Sequence, residues 1–127
     1  MSKPLALIVE DNEQLATTFA EAAQEAGYNT EIVRSGDGAL NRLASLVPDL
    51  VILDLHLPRV KGSEVLEHIR SDPRLSATQV IVSTAHAGEA SMVQEKADLV
   101  LLKPIGYEQL RDLAARLQRD LPAAGGA

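Results

Sequence analysis

A chain of 127 residues is long enough for one ordinary domain and too short for two. Its 12 basic and 18 acidic residues give a net charge of -6, which argues against a surface for DNA, RNA or an anionic membrane. The absence of cysteine excludes disulfides and thiolate metal sites. The first apolar run, residues 5–9, is too short for a signal peptide or a membrane span, so we predict a cytoplasmic protein.

The first part of the chain alternates apolar runs of strand length with helical patterns. Residues 5–9 predict a strand, and Asn12 stands where an N-cap would begin a helix that ends at Gly27. A second strand is predicted over residues 29–33. The helix that follows is expected to carry apolar residues at helical spacing, namely Ala39, Leu40, Leu43, Ala44 and Val47.

The same alternation continues to the end of the chain. A third strand is predicted over residues 50–53, and the helix after it should end near Asp72. A fourth strand over residues 79–83, a short helix over 89–95 and a fifth strand over 99–102 follow. The last helix has apolar residues at helical spacing, namely Leu110, Leu113, Ala114, Leu117 and Leu121.

Five predicted strands alternating with five predicted helices indicate a doubly wound α/β fold. Because the strands are continuously apolar, we expect a parallel sheet covered by helices on both faces. In such sheets the ligand site lies beyond the carboxyl ends of the strands, where the strand order reverses. We therefore predict a single domain over residues 1–121 with strand order 2-1-3-4-5, followed by a disordered tail over residues 122–127.

Residues capable of chemistry stand at the ends of four predicted strands. They are Glu10 and Asp11 after the first, Asp54 at the third, Ser83 and Thr84 at the fourth, and Lys103 after the fifth. If the first and third strands are neighbours, three carboxylates converge beside a lysine and a hydroxyl. Like charges about 4 Å apart repel by about 4 kcal/mol at an effective dielectric of about 20, so the cluster requires a cation or raised pKa values. A set of oxygen ligands favours Mg²⁺ over Zn²⁺.

The same residues suit phosphoryl transfer. A carboxylate attacks phosphorus only when the repulsion between two anions is removed, and a divalent ion, a lysine and a hydroxyl donor can remove it. Asp54 is the candidate nucleophile. Each residue also has a simpler interpretation: Asp54 as a turn residue, Glu10 and Asp11 as acids of a first helical turn, Thr84 as an N-cap, Lys103 as a surface lysine. The prediction of phosphoryl transfer rests on the presence of all these residues at the strand ends, and no single residue would support it alone.

Five short motifs carry a family resemblance. They are VEDN at 9–12, SGDGAL at 35–40, DLHLPRVKG at 54–62, STA at 83–85 and KP at 103–104. Together they resemble the receiver domain of bacterial two-component response regulators, of the stand-alone chemotaxis-regulator type, over residues 5–119. The resemblance implies a flavodoxin-like receiver fold. It also implies a protein that is not an enzyme, except in its own phosphoryl transfer and autodephosphorylation.

The resemblance assigns the phosphoacceptor and the metal ligands. Asp54 would accept a phosphoryl group from the phosphohistidine of a sensor kinase or of a histidine phosphotransfer protein. Glu10 and Asp11 would hold Mg²⁺, together with Asp54 itself and the main-chain carbonyl of His56.

The resemblance also assigns the residues of the last two strands. Thr84 would hydrogen-bond the phosphoryl group and move on activation, Lys103 would pair with that group, and the bond between Lys103 and Pro104 would be cis. Val100 departs from the family, which often carries a mobile aromatic ring at that position. The segment between Thr84 and Lys103 is about one helical turn short, so a reduced fourth helix is expected.

Partners and alternatives complete the prediction. The implied partners are the phosphodonor protein and a downstream protein target, with a homodimer through the fourth helix, fifth strand and fifth helix as a further expected assembly. A degenerate receiver acting as a constitutive binding module is one alternative. An aspartate-nucleophile phosphatase of the haloacid dehalogenase type is another, but it would need a second aspartate where His56 stands. The side chains of His56, His68 and His86 are predicted to face solvent or lie on helix surfaces rather than to bind metal.

Overall fold

The strands form one parallel sheet. In the computed structural model, which describes residues 3–121, they are β1 (Leu5–Val9), β2 (Asn29–Val33), β3 (Leu50–Asp54), β4 (Gln79–Thr84) and β5 (Leu99–Leu102). Their order across the sheet is β2-β1-β3-β4-β5, and each pairing is parallel. The predicted fold and strand order are confirmed. β3 and β4 each run one residue further than predicted, so Asp54 and Thr84 are the last residues of their strands.

The helices connect successive strands. They are α1 (Glu13–Glu25), α2 (Gly36–Leu43), α3 (Gly62–Ser71), α4 (Ala87–Val93) and α5 (Tyr107–Arg119), with a 3₁₀ turn at Pro73–Leu75. The predicted N-cap is confirmed, because the side chain of Asn12 accepts a hydrogen bond from Leu15 N at 2.9 Å. Gly27 ends α1 in the left-handed region at φ 108°, which suits a residue without Cβ. Among the residues that the structure describes, no helix has the length and apolar character needed to cross a bilayer.

The sheet separates two buried clusters of apolar side chains. Successive residues of a strand point to opposite faces, so Ile8 and Ile52 pack on the side of α1 and α5, while Val9 and Leu53 pack on the side of α2 and α3. All four are at most 1% exposed. The helices thus cover both faces, as the continuously apolar strands require. The polar strand ends are left at one edge of the sheet.

The C-terminal ends of α2 and α5 differ from the sequence prediction. α2 ends at Leu43, and Val47 lies beyond the helix with 55% of its surface exposed. Pro48 accounts for the position of Val47, because a residue that precedes a proline is disfavoured in the helical region. α5 ends at Arg119, so Leu121 also lies outside its helix.

The fourth helix is short, as expected, but begins and ends two residues earlier than predicted. α4 spans seven residues, and Ala90 N already donates to His86 O, which fixes the first turn. A turn follows Val93, in which Lys96 N and Ala97 N both donate hydrogen bonds to the carbonyl of Val93.

The three histidines divide into two groups. His56 and His86 are exposed, as predicted. His68 lies on α3 but is half-buried, and its Nε2 is enclosed with no hydrogen-bond partner among residues 3–121. Its place on a helix agrees with the prediction of a position in solvent or on a helix surface, and α3 turns the side chain partly inward.

Candidate functional site

Three carboxylates meet where β1 and β3 end. β1 and β3 are adjacent parallel strands, and Val9 pairs with Leu53. Glu10 and Asp11, which follow β1, therefore lie beside Asp54, the last residue of β3. One oxygen of each carboxylate lies within 4.8 Å of an oxygen of the other two. Glu10 and Asp54 are 1% and 3% exposed, whereas Asp11 is exposed. The cluster is therefore buried on one side and open to solvent on the other.

Burial dominates the electrostatics of Glu10. The loss of solvent raises the pKa of the Glu10 carboxyl, and the negative charge of Asp54 adds to this effect. A hydrogen bond from Asn12 N at 3.1 Å and the ammonium group of Lys103 oppose it. Because the pKa stays raised, the negative charge is only partly compensated by the protein. Such a set of oxygen donors suits a hard divalent cation.

Lys103 joins the cluster from β5. Its Nζ lies 3.2 Å from Glu10 Oε1 and 3.4 Å from Asp54 Oδ1, and its side chain is 22% exposed. Its backbone N donates to Thr84 O at 2.8 Å, which aligns the end of β5 with the end of β4. The peptide bond between Lys103 and Pro104 is cis, as the resemblance implied. An ammonium group thus stands beside both buried carboxylates.

Thr84 ends β4 and is fully buried. Its Oγ1 accepts a hydrogen bond from His86 N at 3.1 Å and donates to Glu89 Oε2 at 3.5 Å. The same Oε2 lies 2.8 Å from Nε2 of His56. Sequence analysis missed Glu89, because an acid in the first turn of a helix is commonplace and its contacts depend on tertiary structure.

The connection from β3 to α3 fixes the position of Asp54. Asp54 Oδ1 accepts a hydrogen bond from His56 N at 3.2 Å, and Gly62 N donates to Leu55 O at 3.0 Å. A Cβ on Gly62 would lie 2.2 Å from Asp54 O and 2.6 Å from the Cα of Leu55. The start of α3 therefore packs directly on the backbone of the strand end, which a glycine alone permits.

A groove of about 640 Å³ opens beside the cluster, between the β3–α3 connection and α4. Its apolar lining consists of Leu55, Leu57, Pro58, Met92 and Val93. Its polar lining consists of Asp11, His56, Lys61, Ser63 and Glu89. Asp11 belongs both to this groove and to the acidic cluster, so the two are continuous.

The structure brings together the residues that the sequence singled out. Glu10, Asp11, Asp54 and Lys103 share one cluster, and Thr84 lies on the strand next to that of Asp54. Val100 is half-buried and packs against the core on the α3 side. A buried carboxylate beside an ammonium group and a cluster of oxygen ligands is an arrangement suited to receiving a phosphoryl group.

Comparison with known proteins agrees with this geometry. The family model of the response regulator receiver domain matches residues 6–115. The polar-differentiation response regulator DivK of Brucella ovis is 36% identical over 102 residues, which are 78% of this chain and 83% of that protein.

Solved structures show the same fold. The CheY-like response regulator receiver domain from Methylobacillus flagellatus has a TM-score of 0.81 and 28% identity, covering 91% of this chain and 99% of that chain. The signal receiver domain of a signal transduction histidine kinase from Syntrophus aciditrophicus has a TM-score of 0.84 and 28% identity, covering 98% and 96% of the two chains. Fold, acidic cluster and family match agree, and the chain belongs to the response regulator receiver domain family.

Proposed function

We propose that residues 1–121 act as one receiver domain of a two-component phosphorelay and accept a phosphoryl group on Asp54. The phosphodonor is the phosphohistidine of a sensor histidine kinase or of a histidine phosphotransfer protein. The observation that carries the proposal is the position of Asp54, which is 3% exposed, within 3.4 Å of Lys103 Nζ and part of the acidic cluster. Receiver domains are signalling modules rather than enzymes, and this one takes part in its own phosphoryl transfer.

The donor set of the cluster fits Mg²⁺. Its protein ligands would be carboxylate oxygens of Glu10, Asp11 and Asp54, with the main-chain carbonyl of His56 as a fourth. The exposed side of the cluster, at Asp11, leaves room for water and phosphoryl oxygens. When bound, the ion offsets the charge repulsion between a carboxylate and a phosphoryl group.

The side chains around Asp54 have separate roles in the transfer. A carboxylate oxygen of Asp54 attacks phosphorus, the bond from phosphorus to the donor imidazole breaks, and the imidazole leaves with the bonding electron pair. The ammonium group of Lys103 neutralises a phosphoryl oxygen, and the hydroxyl of Thr84 donates a hydrogen bond to another. Attack of water on the same phosphorus returns Asp54 and inorganic phosphate, which is autodephosphorylation.

The output is a protein–protein contact that depends on phosphorylation. We infer that it uses the face of α4, β5 and α5, where Leu102 is 51% exposed. The occupant is a downstream protein target or a second copy of the chain. The net charge of -6 argues against nucleic acid and anionic membranes as partners, and a cytoplasmic location suits the proposed relay.

The test is incubation of the protein with Mg²⁺ and acetyl phosphate, followed by intact-mass measurement. We expect one labile phosphoryl group per chain, and none in Asp54→Asn. A degenerate receiver would take no label, and a phosphatase would hydrolyse acetyl phosphate in many turnovers without accumulating label. Labelling that persists in Asp54→Asn would contradict the proposal.

A further inference from the structure

Glu89 connects two parts of the site that the proposed function keeps separate. Its Oε2 accepts a hydrogen bond from Thr84 Oγ1 at 3.5 Å and lies 2.8 Å from Nε2 of His56. Thr84 ends β4, whereas His56 belongs to the connection between β3 and α3. One carboxylate oxygen of α4 therefore ties both strand ends to this helix.

The hydrogen bond to Glu89 uses the only proton that the Thr84 hydroxyl can donate. Within residues 3–121, the other hydrogen bond of Thr84 Oγ1 is accepted from His86 N, so the hydroxyl donates to Glu89. A hydroxyl has a single O–H donor. Because the proposed transfer needs that donor at a phosphoryl oxygen, the bond to Glu89 and the bond to the phosphoryl group exclude each other.

The helix that carries Glu89 has few other ties to the core. α4 has seven residues, and Val93 is its buried residue. A Cβ on Gly88 would meet no atom within 4 Å, so this residue of the first turn faces open space. The contacts of Glu89 with Thr84 and His56 thus join the first turn of α4 to β4 and to the β3–α3 connection.

We propose that Glu89 is a positioning residue that holds the Thr84 hydroxyl in the unphosphorylated protein, with His56 fixing the carboxylate of Glu89. Phosphorylation of Asp54 draws the hydroxyl to the phosphoryl group and releases the first turn of α4. The inference rests on the proposed function and deepens it. It supplies a route from Asp54 to the face of α4 in a chain that has valine at position 100, where the family resemblance implies a mobile aromatic ring.

The first test compares labelling rates with acetyl phosphate and Mg²⁺ in wild type, Glu89→Ala and Glu89→Gln. Alanine removes the acceptor, so we expect labelling to accelerate about three- to tenfold, in line with the net effect of one hydrogen bond. Glutamine keeps an acceptor oxygen, so we expect its rate to stay within about twofold of wild type. Equal acceleration in both variants would mean that charge alone matters, and it would overturn the inference.

A matched control removes the same charge elsewhere. Glu95 is exposed and lies just beyond α4, so Glu95→Gln should leave the labelling rate unchanged. The effect should also depend on the hydroxyl. In a Thr84→Ala background we expect Glu89→Ala to have no further effect, whereas the same acceleration in that background would overturn the inference.

A second measurement separates this inference from the proposed function. The Thr84 hydroxyl proton should exchange slowly with solvent in the unphosphorylated wild type and in Glu89→Gln, and rapidly in Glu89→Ala, as observed by NMR. Rapid exchange in wild type would overturn the role of Glu89 even if Asp54 is labelled. Absence of label in wild type would instead overturn the proposed function, while slow exchange in that protein would still support the contact.

Discussion

Lys103 places one ammonium group between two buried carboxylates. Its Nζ lies 3.2 Å from Glu10 Oε1 and 3.4 Å from Asp54 Oδ1. A flexible lysine can shift from these carboxylates to an incoming phosphoryl group without leaving the cluster. In the proposed transfer, Lys103 would compensate the charge of the carboxylates before the phosphoryl group arrives and stabilise the charge of that group as it is transferred.

We expect Lys103→Met to lower the rate of labelling by acetyl phosphate about 100-fold. The reason is that a preorganised cation at a developing negative charge typically contributes that much. The pKa of Glu10 should rise further, because the lysine is among the groups that hold it down. Labelling is followed by intact mass over time at fixed Mg²⁺.

The matched control is Lys96→Met. Lys96 pairs with Glu67 on the surface, where an ion pair contributes about 0–1 kcal/mol, and it lies outside the cluster. Its labelling rate should equal that of wild type. A similar loss in both lysine variants would show that overall charge, rather than the position of Lys103, controls the transfer.

At the scale of the element, α3 is seated on the strand that carries Asp54. We expect Gly62→Ala to lower the free energy of unfolding by about 3 kcal/mol or more, because the added Cβ would lie 2.2 Å from Asp54 O. Labelling should fall as well, since the backbone of the strand end must shift. Chemical denaturation and the labelling rate together test this.

Gly88→Ala provides the control for the loss of a glycine. Its Cβ would meet nothing within 4 Å in α4, and alanine is favoured over glycine in a helix by about 1 kcal/mol. We therefore expect unchanged or slightly increased stability. If both alanine variants are equally stable, close packing at Gly62 is not what fixes the strand end.

Tyr28 links the start of β2 to α5. Its hydroxyl donates to Ala114 O at 3.0 Å, and burial raises the pKa of Tyr28 to about 12. We expect Tyr28→Phe to cost about 1 kcal/mol at pH 7, because the buried carbonyl loses its donor.

The pKa of Tyr28 also gives a pH dependence of stability. The Tyr28 hydroxyl ionises more easily in the unfolded chain, where its pKa is the usual 10.0, than in the folded protein. Its contribution to the free energy of unfolding is therefore fully present below pH 10 and is lost as the pH rises towards 12. The advantage of wild type over Tyr28→Phe should therefore shrink between pH 10 and pH 12. Denaturant unfolding of both proteins across this range measures it, and a constant difference would contradict the buried tyrosine.

The elements were predictable to the extent that their causes are local. Apolar runs predicted four of the strands, whereas β2 has the mixed sequence Asn-Thr-Glu-Ile-Val. Asn12 and Gly27 predicted the ends of α1. The end of α2 was missed because helical spacing continued to Val47 although the chain had already left the helix. The acidic cluster followed from strand order, whereas the contacts of Glu89 arise only when α4 packs beside the β3–α3 connection.

At the scale of the whole molecule, we expect the acidic cluster to lower stability when no cation is bound. Burial raises the pKa of Glu10, so the ionised carboxylate is less favourable in the folded protein than in the unfolded chain above the usual pKa of 4.5. Glu10→Gln removes that cost. We therefore expect Glu10→Gln to have a higher Tm than wild type at pH 7 without divalent ions.

Mg²⁺ should reverse this order. Binding at about 100 times the Kd stabilises a folded protein by about 2.7 kcal/mol, which corresponds to roughly 10 °C in the Tm of a domain of this size. Wild type should gain this stability from MgCl₂, whereas Glu10→Gln, which lacks one ligand, should gain much less. Glu95→Gln, an exposed acid outside the cluster, should respond as wild type does. NaCl of equal ionic strength separates binding from screening, and an equal response to both salts in wild type would mean that the cluster holds no specific ion.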